Sequence, residues 1–204
     1  MSDILPPTLK ELADFFHTIP GIGKKTALRY TIQLLNQEPK FLNDFGLKLQ
    51  EINHKIVKCE RCFAISETPV CGICKSNSRN NELICVVEDI RDVIAIENTR
   101  QYNGKYHVLG GVISPIDGIG PNDLNIDSLI KRIENNEEVK EIVLALSTTM
   151  EGDTTNYFLY KKLNGHNINI STIARGVGFG DQIEYADELT LGKSISNRTP
   201  YKLT

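Results

Sequence analysis

The sequence predicts an α+β chain of several modules: a helical hairpin at the N-terminus, a four-cysteine zinc module, an α/β domain with a mainly parallel sheet, and a C-terminal glycine loop with a short helix. Three observations predict it. Four of the five cysteines fall between positions 59 and 74 as two Cys-x-x-Cys pairs. Apolar residues at helical spacing precede them. Short apolar runs alternating with helical patterns follow them, the signature of a parallel sheet with crossover helices.

The totals set bounds on these modules. A chain of 204 residues suits one or two domains plus small modules. At 40% hydrophobic and 24% charged it can bury a core, which argues against a disordered chain. No apolar run approaches the ~20 residues of a membrane span. Residues 1–7 lack the basic-then-apolar order of a signal peptide, so the expectation is a cytoplasmic protein with reduced cysteines and no membrane contact. The net charge of −3 hides an asymmetry: +2 over residues 1–58, +1 over 59–81 and −6 over 82–204. Any nucleic-acid contact is therefore expected in the front half.

In chain order, Leu9, Leu12, Ala13, Phe16 and Ile19 share one helical face, and Pro20 stops that helix. Ile19-Pro-Gly-Ile-Gly23 makes a tight turn, and a second helix carries Ala27, Tyr30, Thr31 and Leu34 on one face. Two helices joined this way resemble a helix-hairpin-helix. Gly21 and Gly23 let the backbone lie close to a phosphate, helix N-terminal amides favour an anion, and Lys24, Lys25 and Arg29 surround the point with positive charge. Such contacts hold the DNA backbone without reading sequence. A plain packing unit with solvated lysines is the alternative. A third helix, 41–57, carries Leu42, Phe45, Leu49, Ile52 and Ile56 as a seam for another helix or for a partner subunit.

The pairs Cys59/Cys62 and Cys71/Cys74 then supply two knuckles and four thiolates. Two disulfides, or four unrelated cysteines, are the alternative. Regular pairing and the absence of an export signal favour one structural zinc per chain, since four protein ligands leave no open position for chemistry. A thioredoxin-like redox role needs a single pair beside a βαβ unit.

Beyond a polar connector at 75–82, strands are expected at Leu83–Val87, Tyr106–Leu109, Ile142–Leu146 and Ile168–Ile173. Helices are expected at Asp89–Asn98, around Ile126, Leu129, Ile130 and Ile133, and near Asn156–Leu163. Ser114–Pro121 reads as a loop, and Cys85 as core. Glu88 ends one strand, and Glu151 and Asp153 follow another, where functional groups of such sheets gather. The tail holds the glycine loop 176–180 and a last short helix running to Arg198, with no P-loop.

This order of modules resembles the bacterial recombination mediator family RecR. The resemblance is carried by Ile19–Gly23, Cys59–Cys74, Cys85–Glu88, Tyr106–Gly111, Ser114–Pro121, Glu151–Thr154 and Glu184–Leu191. It implies a helix-hairpin-helix DNA-binding domain at 1–58, a C4-type zinc finger at 59–74, a Toprim domain at 82–177 and a Walker-B-like, assembly-forming segment at 178–204. It implies a ring, commonly a tetramer, that encircles or clamps DNA at the nucleoid. The ring works with RecO, and in many bacteria RecF, in the RecBC-independent pathway to load RecA onto single strands. Lys25 and Arg29, with Lys24 adjacent, match the DNA-facing positions, and Glu88, Glu151 and Asp153 match the Toprim acidic positions associated with RecO. Two departures stand out: Ser147-Thr148 where many members have Asn-Pro, and Glu151-Gly-Asp153 in place of Asp-x-Asp. Both count against the alternative, a magnesium-dependent Toprim enzyme acting on nucleic-acid strands, because octahedral magnesium tolerates poor geometry badly. The expectation is a protein that is not an enzyme, with a pure protein adaptor as a third reading. The zinc module is expected to set the angle between a basic front and an acidic back.

Overall fold

A computed structural model describes residues 4–135, 138–178 and 180–200. The expected module ends at 1–3 and 201–204, and Phe179 of the glycine loop, lie outside the described residues. The chain forms two compact units, divided between Ile56 and Val57.

The first unit is helical: α1 (Pro7–His17), α2 (Lys24–Leu35) and α3 (Pro39–Lys55). Pro7 starts α1, where its missing N–H costs nothing. Pro20 ends it early, because the residues before a proline leave the helical region. Ile19 therefore falls in the turn, 48% exposed, and not on the helical stripe. Ala13 and Ala27 are both fully buried, so α1 and α2 pack through small residues. Phe16 meets Tyr30 edge to face with centroids 6.0 Å apart. In α3 no residue is buried. Its first turns, with Phe41 and Phe45, line an apolar groove of about 310 Å³ together with Phe16, Tyr30 and Leu34.

The second unit opens with a two-strand antiparallel hairpin, β1 (Val57–Lys58) and β2 (Ile65–Ser66), and the one-turn α4 (Gly72–Lys75). The sheet follows: β3 (Asn80–Val87), α5 (Ile90–Thr99), β4 (Gly104–Val108), α6 (Ile126–Glu134), β5 (Glu141–Leu144), α7 (Met150–Leu163) and β6 (Asn169–Thr172), with α8 (Glu188–Ser196) last. The four sheet strands are all parallel, in the order β4-β3-β5-β6.

Strand β3 alternates its buried side chains between two cores. Ile84 and Val86 join Leu129 and Ile133 of α6 and Leu159 and Leu163 of α7. Cys85 and Val87 join Val93 of α5, Tyr106, Val108 and the four zinc-module cysteines. Both faces are thus covered, which is why the strand reads as one unbroken apolar run.

One expectation changes here. The helix expected near Asn156 begins at Met150, because Thr149 caps it by accepting from the Gly152 amide at 3.1 Å. Glu151 and Asp153 therefore stand in a first helical turn, where acidic side chains suit the dipole. The cysteine module packs into the second unit, against β3, β4 and α5.

Candidate functional site

The four cysteines are gathered by two knuckles. Cys59, Cys62, Cys71 and Cys74 are all buried, and their Sγ atoms lie within 4.8 Å of one another. The Cys62 and Cys71 sulfurs are 3.6 Å apart, close to the ~3.8 Å edge of a tetrahedron with ~2.3 Å Zn–S bonds. Backbone amides of Cys71 and Cys74 donate to the sulfurs of Cys59 and Cys71 at 3.3 and 3.4 Å, which favours thiolates. Without a cation, Cys62 and Cys74 share a proton. Cys62 holds it, pushed up by that bond and by burial, and Cys74 accepts it, pulled down to about 5. Four buried sulfurs of this kind fit one structural zinc, with no position left open.

Strand β4 fixes the module to the sheet. The Val108 amide donates to the Cys62 carbonyl at 2.8 Å. Buried Lys105 donates to the carbonyls of Ile73, Cys74 and Ser76 at 2.8, 3.2 and 2.7 Å, closing the C-terminus of α4. Phe63 packs edge-on against His107, centroids 5.4 Å apart. Nothing in the spacing of the cysteines pointed to Lys105, since a lysine inside a strand reads as solvated.

At the hairpin, Gly21 takes a left-handed φ of 84°, which only glycine adopts without strain. The turn is held by the Ile22 amide on the Ile19 carbonyl, 3.1 Å, and by His17 Nδ1 on the Ile22 carbonyl, 2.9 Å. Gly23 has an ordinary φ of −74° and sits at the N-cap of α2, where a side chain would meet nothing within 4 Å. No side chain caps this helix, and its first turn has no acidic residue. Exposed Lys24 and Lys25 stand there instead, against the dipole, with Arg29 a turn further on over the Tyr30 ring at 5.7 Å. Open amides beside misplaced cations make a socket for an anion.

The acidic positions lie at the carboxyl ends of the strands. Glu88 follows β3, which lies between β4 and β5 in the sheet, where the winding reverses direction. Its carboxylate accepts from Ser147 Oγ at 3.0 Å. Gly152 is required by close approach, since a Cβ there would stand 1.9 Å from the Ser147 carbonyl oxygen. Asp153 is ion-paired with Arg175 and lies 3.7 Å from Lys193 of α8. The Arg175 guanidinium holds its carboxyl below the usual carboxylate range. Among the described residues, the four cysteines are the group whose ligand atoms converge on a point, and Glu88, Glu151 and Asp153 form no such group. Arg175 and Lys193 escaped the reading of the sequence, because their partner Asp153 is distant along the chain.

Comparison with known proteins covers the whole chain. Residues 56–76 match the family model of the RecR zinc finger domain of four cysteines, residues 82–174 that of the Toprim domain, and residues 176–199 that of the RecR C-terminal region. The chain is 53% identical over 203 residues to "Recombination protein RecR" of Parabacteroides distasonis, covering 100% of this chain and 95% of that one. It is 55% identical over 193 residues to the protein of that name from Porphyromonas gingivalis, covering 95% and 93%. A third, from Flavobacterium psychrophilum, is 52% identical over 202 residues, covering 98% and 95%.

Proposed function

We propose that this chain, which belongs to the RecR family of recombination proteins, is a non-catalytic mediator that binds DNA through its helical hairpin and helps load RecA onto single strands. The observation that carries the reading is the uncapped N-terminus of α2, with Gly23 at the cap and Lys24 and Lys25 in the first turn. An anion there removes two local costs at once, the open amides and the cations set against the dipole. Phosphate backbones supply such anions at regular intervals, and the contact carries no sequence preference.

In this reading residues 1–58 are the DNA-binding domain, 59–74 the zinc finger, 82–177 the Toprim domain and 178–204 the assembly segment. RecO, and RecF where present, dock on the acidic end of the sheet at Glu88, Glu151 and Asp153. Several subunits form a ring, which repeats a weak hairpin contact and so raises avidity. Ring assembly explains how a hairpin with three basic residues holds a strand at all. The ion pairs of Asp153 with Arg175 and Lys193 support a structural and docking role for that carboxylate over metal ligation. Among the described residues, no helix is long and apolar enough to cross a membrane. Action on DNA in the bacterial cytoplasm, at the nucleoid, follows from the same reading.

The test is Lys25→Ala with Arg29→Ala, both exposed, in the zinc-loaded protein. Affinity for an oligonucleotide is expected to fall by roughly an order of magnitude at moderate salt, with a shallower salt dependence. Binding identical to the parent protein rules the hairpin out. Magnesium-dependent strand cleavage that disappears in Glu88→Gln marks an enzyme instead.

A further inference from the structure

A polar cavity of about 570 Å³ lies between the cysteine module and α6, wholly within the second unit. Four cations line it: Arg61 from between Cys59 and Cys62, Lys105 from β4, and Lys131 and Arg132 from α6. Among the described residues, Glu60 and Glu138 are the acids of its lining. Among the described residues none of the four cations is ion-paired with a carboxylate. Lys105 gives its three donors to backbone carbonyls, and Arg132 gives one to the Tyr106 carbonyl at 2.7 Å. These two inner cations offset the net −2 of a zinc tetrathiolate. Among the described residues, exposed Arg61 and Lys131 are then left without an ion-pair partner, although Glu60 and Glu138 share the lining.

The wall of the cavity carries a second signal. Phe63 has a φ of 62°, a region that costs a bulky residue strain. Its amide donates to the Cys59 carbonyl at 2.9 Å, a turn that glycine makes at lower cost. The phenyl ring is thereby set in the cavity wall beside Arg61. Strain held at one point of a ligand-sized cavity is a mark of a functional site. Cations beside an aromatic wall suit a strand, whose phosphates meet the charges while a base or sugar lies on the ring.

We propose that this cavity holds a phosphodiester of a nucleic-acid strand, with Arg61 and Lys131 as its ligands and Phe63 as its apolar wall. It is a second DNA contact, on the zinc and Toprim unit. It deepens the DNA-binding function proposed above and rests on it. A free nucleotide offers the same phosphate chemistry. The strand is favoured because the available cations are long and exposed, suited to a flexible backbone that runs past them.

The test uses the full zinc-loaded chain with Arg61→Gln and Lys131→Gln, fluorescence anisotropy of a labelled oligothymidylate, and a salt titration. Affinity is expected to fall roughly threefold to tenfold and the salt slope by about 1.4, two phosphates at ~0.7 each on a single strand. Zinc content and melting temperature are expected to stay at parental values. If Arg61→Gln disturbs the zinc knuckle, Lys131→Gln alone carries the same expectation at half the change in slope. Unchanged affinity and slope overturn the proposal. If Lys25→Ala with Arg29→Ala still weakens binding in that case, the hairpin reading survives it. If neither variant matters, both readings fall. Thymidine 5′-monophosphate at matched ionic strength is expected not to compete at millimolar levels. Submillimolar competition abolished by Arg61→Gln and Lys131→Gln makes the cavity a nucleotide site and overturns the strand.

Discussion

Glu97 and Arg79 lie 18 positions apart in sequence, yet they form a two-bond ion pair in the second unit. Arg79 also reaches the carbonyls of Tyr102 and Gly104, and the Tyr106 hydroxyl donates to Glu97 at 2.6 Å. Arg79 holds the Glu97 carboxyl below its ordinary value of 4.5. On acidification the unfolded chain therefore takes up this proton first. The stabilisation is present above the unfolded carboxylate range and is lost as pH falls through the lower, folded value. Glu97→Gln is expected to cost about 1 kcal/mol at neutral pH, a partly exposed pair discounted for solvent screening. Urea unfolding at pH 7 and again near pH 4 checks it, with the gap between variant and parent closing at the lower pH. A gap of the same size at both leaves the charge no part in the effect.

At the level of elements, β4 is the strand to which the metal module is fastened. The strand supplies the Val108 amide to one knuckle and the Lys105 ammonium to the carbonyls that end α4. A segment this short has no core of its own, and bound zinc supplies its folding free energy. Lys105→Met removes three charged hydrogen bonds and leaves carbonyls open, while relieving the cost of burying an ammonium. The net loss is expected at about 1–3 kcal/mol, or several degrees in melting temperature. Zinc should then pass to a chelating dye faster than from the parent, because the α4 knuckle opens more often. Metal release at the parental rate means that the knuckles hold the ion without help from the sheet.

At the scale of the whole molecule, the seam on α3 stays largely exposed among the described residues. Leu49 and Ile52 are 53% and 54% exposed, on a helix with no buried residue. Apolar exposure repeated along a helix marks a contact surface. In the ring reading, this seam and the 178–204 segment are what subunits share. Leu49→Glu is expected to lower the solution mass from that of an oligomer towards a smaller species and to weaken DNA binding with it, because avidity is lost. Mass unchanged in light scattering sets the seam aside as an assembly surface.

The places where the reading of the sequence succeeded share a physical cause. The zinc ligands, the strands running through Leu83 and Ile142, and the α6 stripe at Ile126, Leu129 and Ile133 each express a local rule. That rule is ligand spacing for the cysteines, a doubly buried run for the strands, and a 3.6-residue period for the helix. Gly21 belongs with them, since a left-handed turn is written in the residue type. The small hairpin β1–β2 and the one-turn α4 were not legible, because two to four residues hold no period. The N-terminal extension of α7 was hidden because its first turn, Met150–Asp153, carries no apolar face and depends on the Thr149 cap.

By itself, then, the sequence determined the order of the modules, the metal ligands and the apolar faces, all of which rest on spacing between near neighbours. Tertiary structure alone decided that the cysteine module belongs to the sheet through Lys105 and Val108. It also decided that Asp153 is answered by Arg175 and Lys193, and that Arg61, Lys131 and Phe63 share a cavity. Each of these depends on residues brought together by the parallel crossover topology, and pairing at such distances leaves no period or motif in the chain for spacing to reveal.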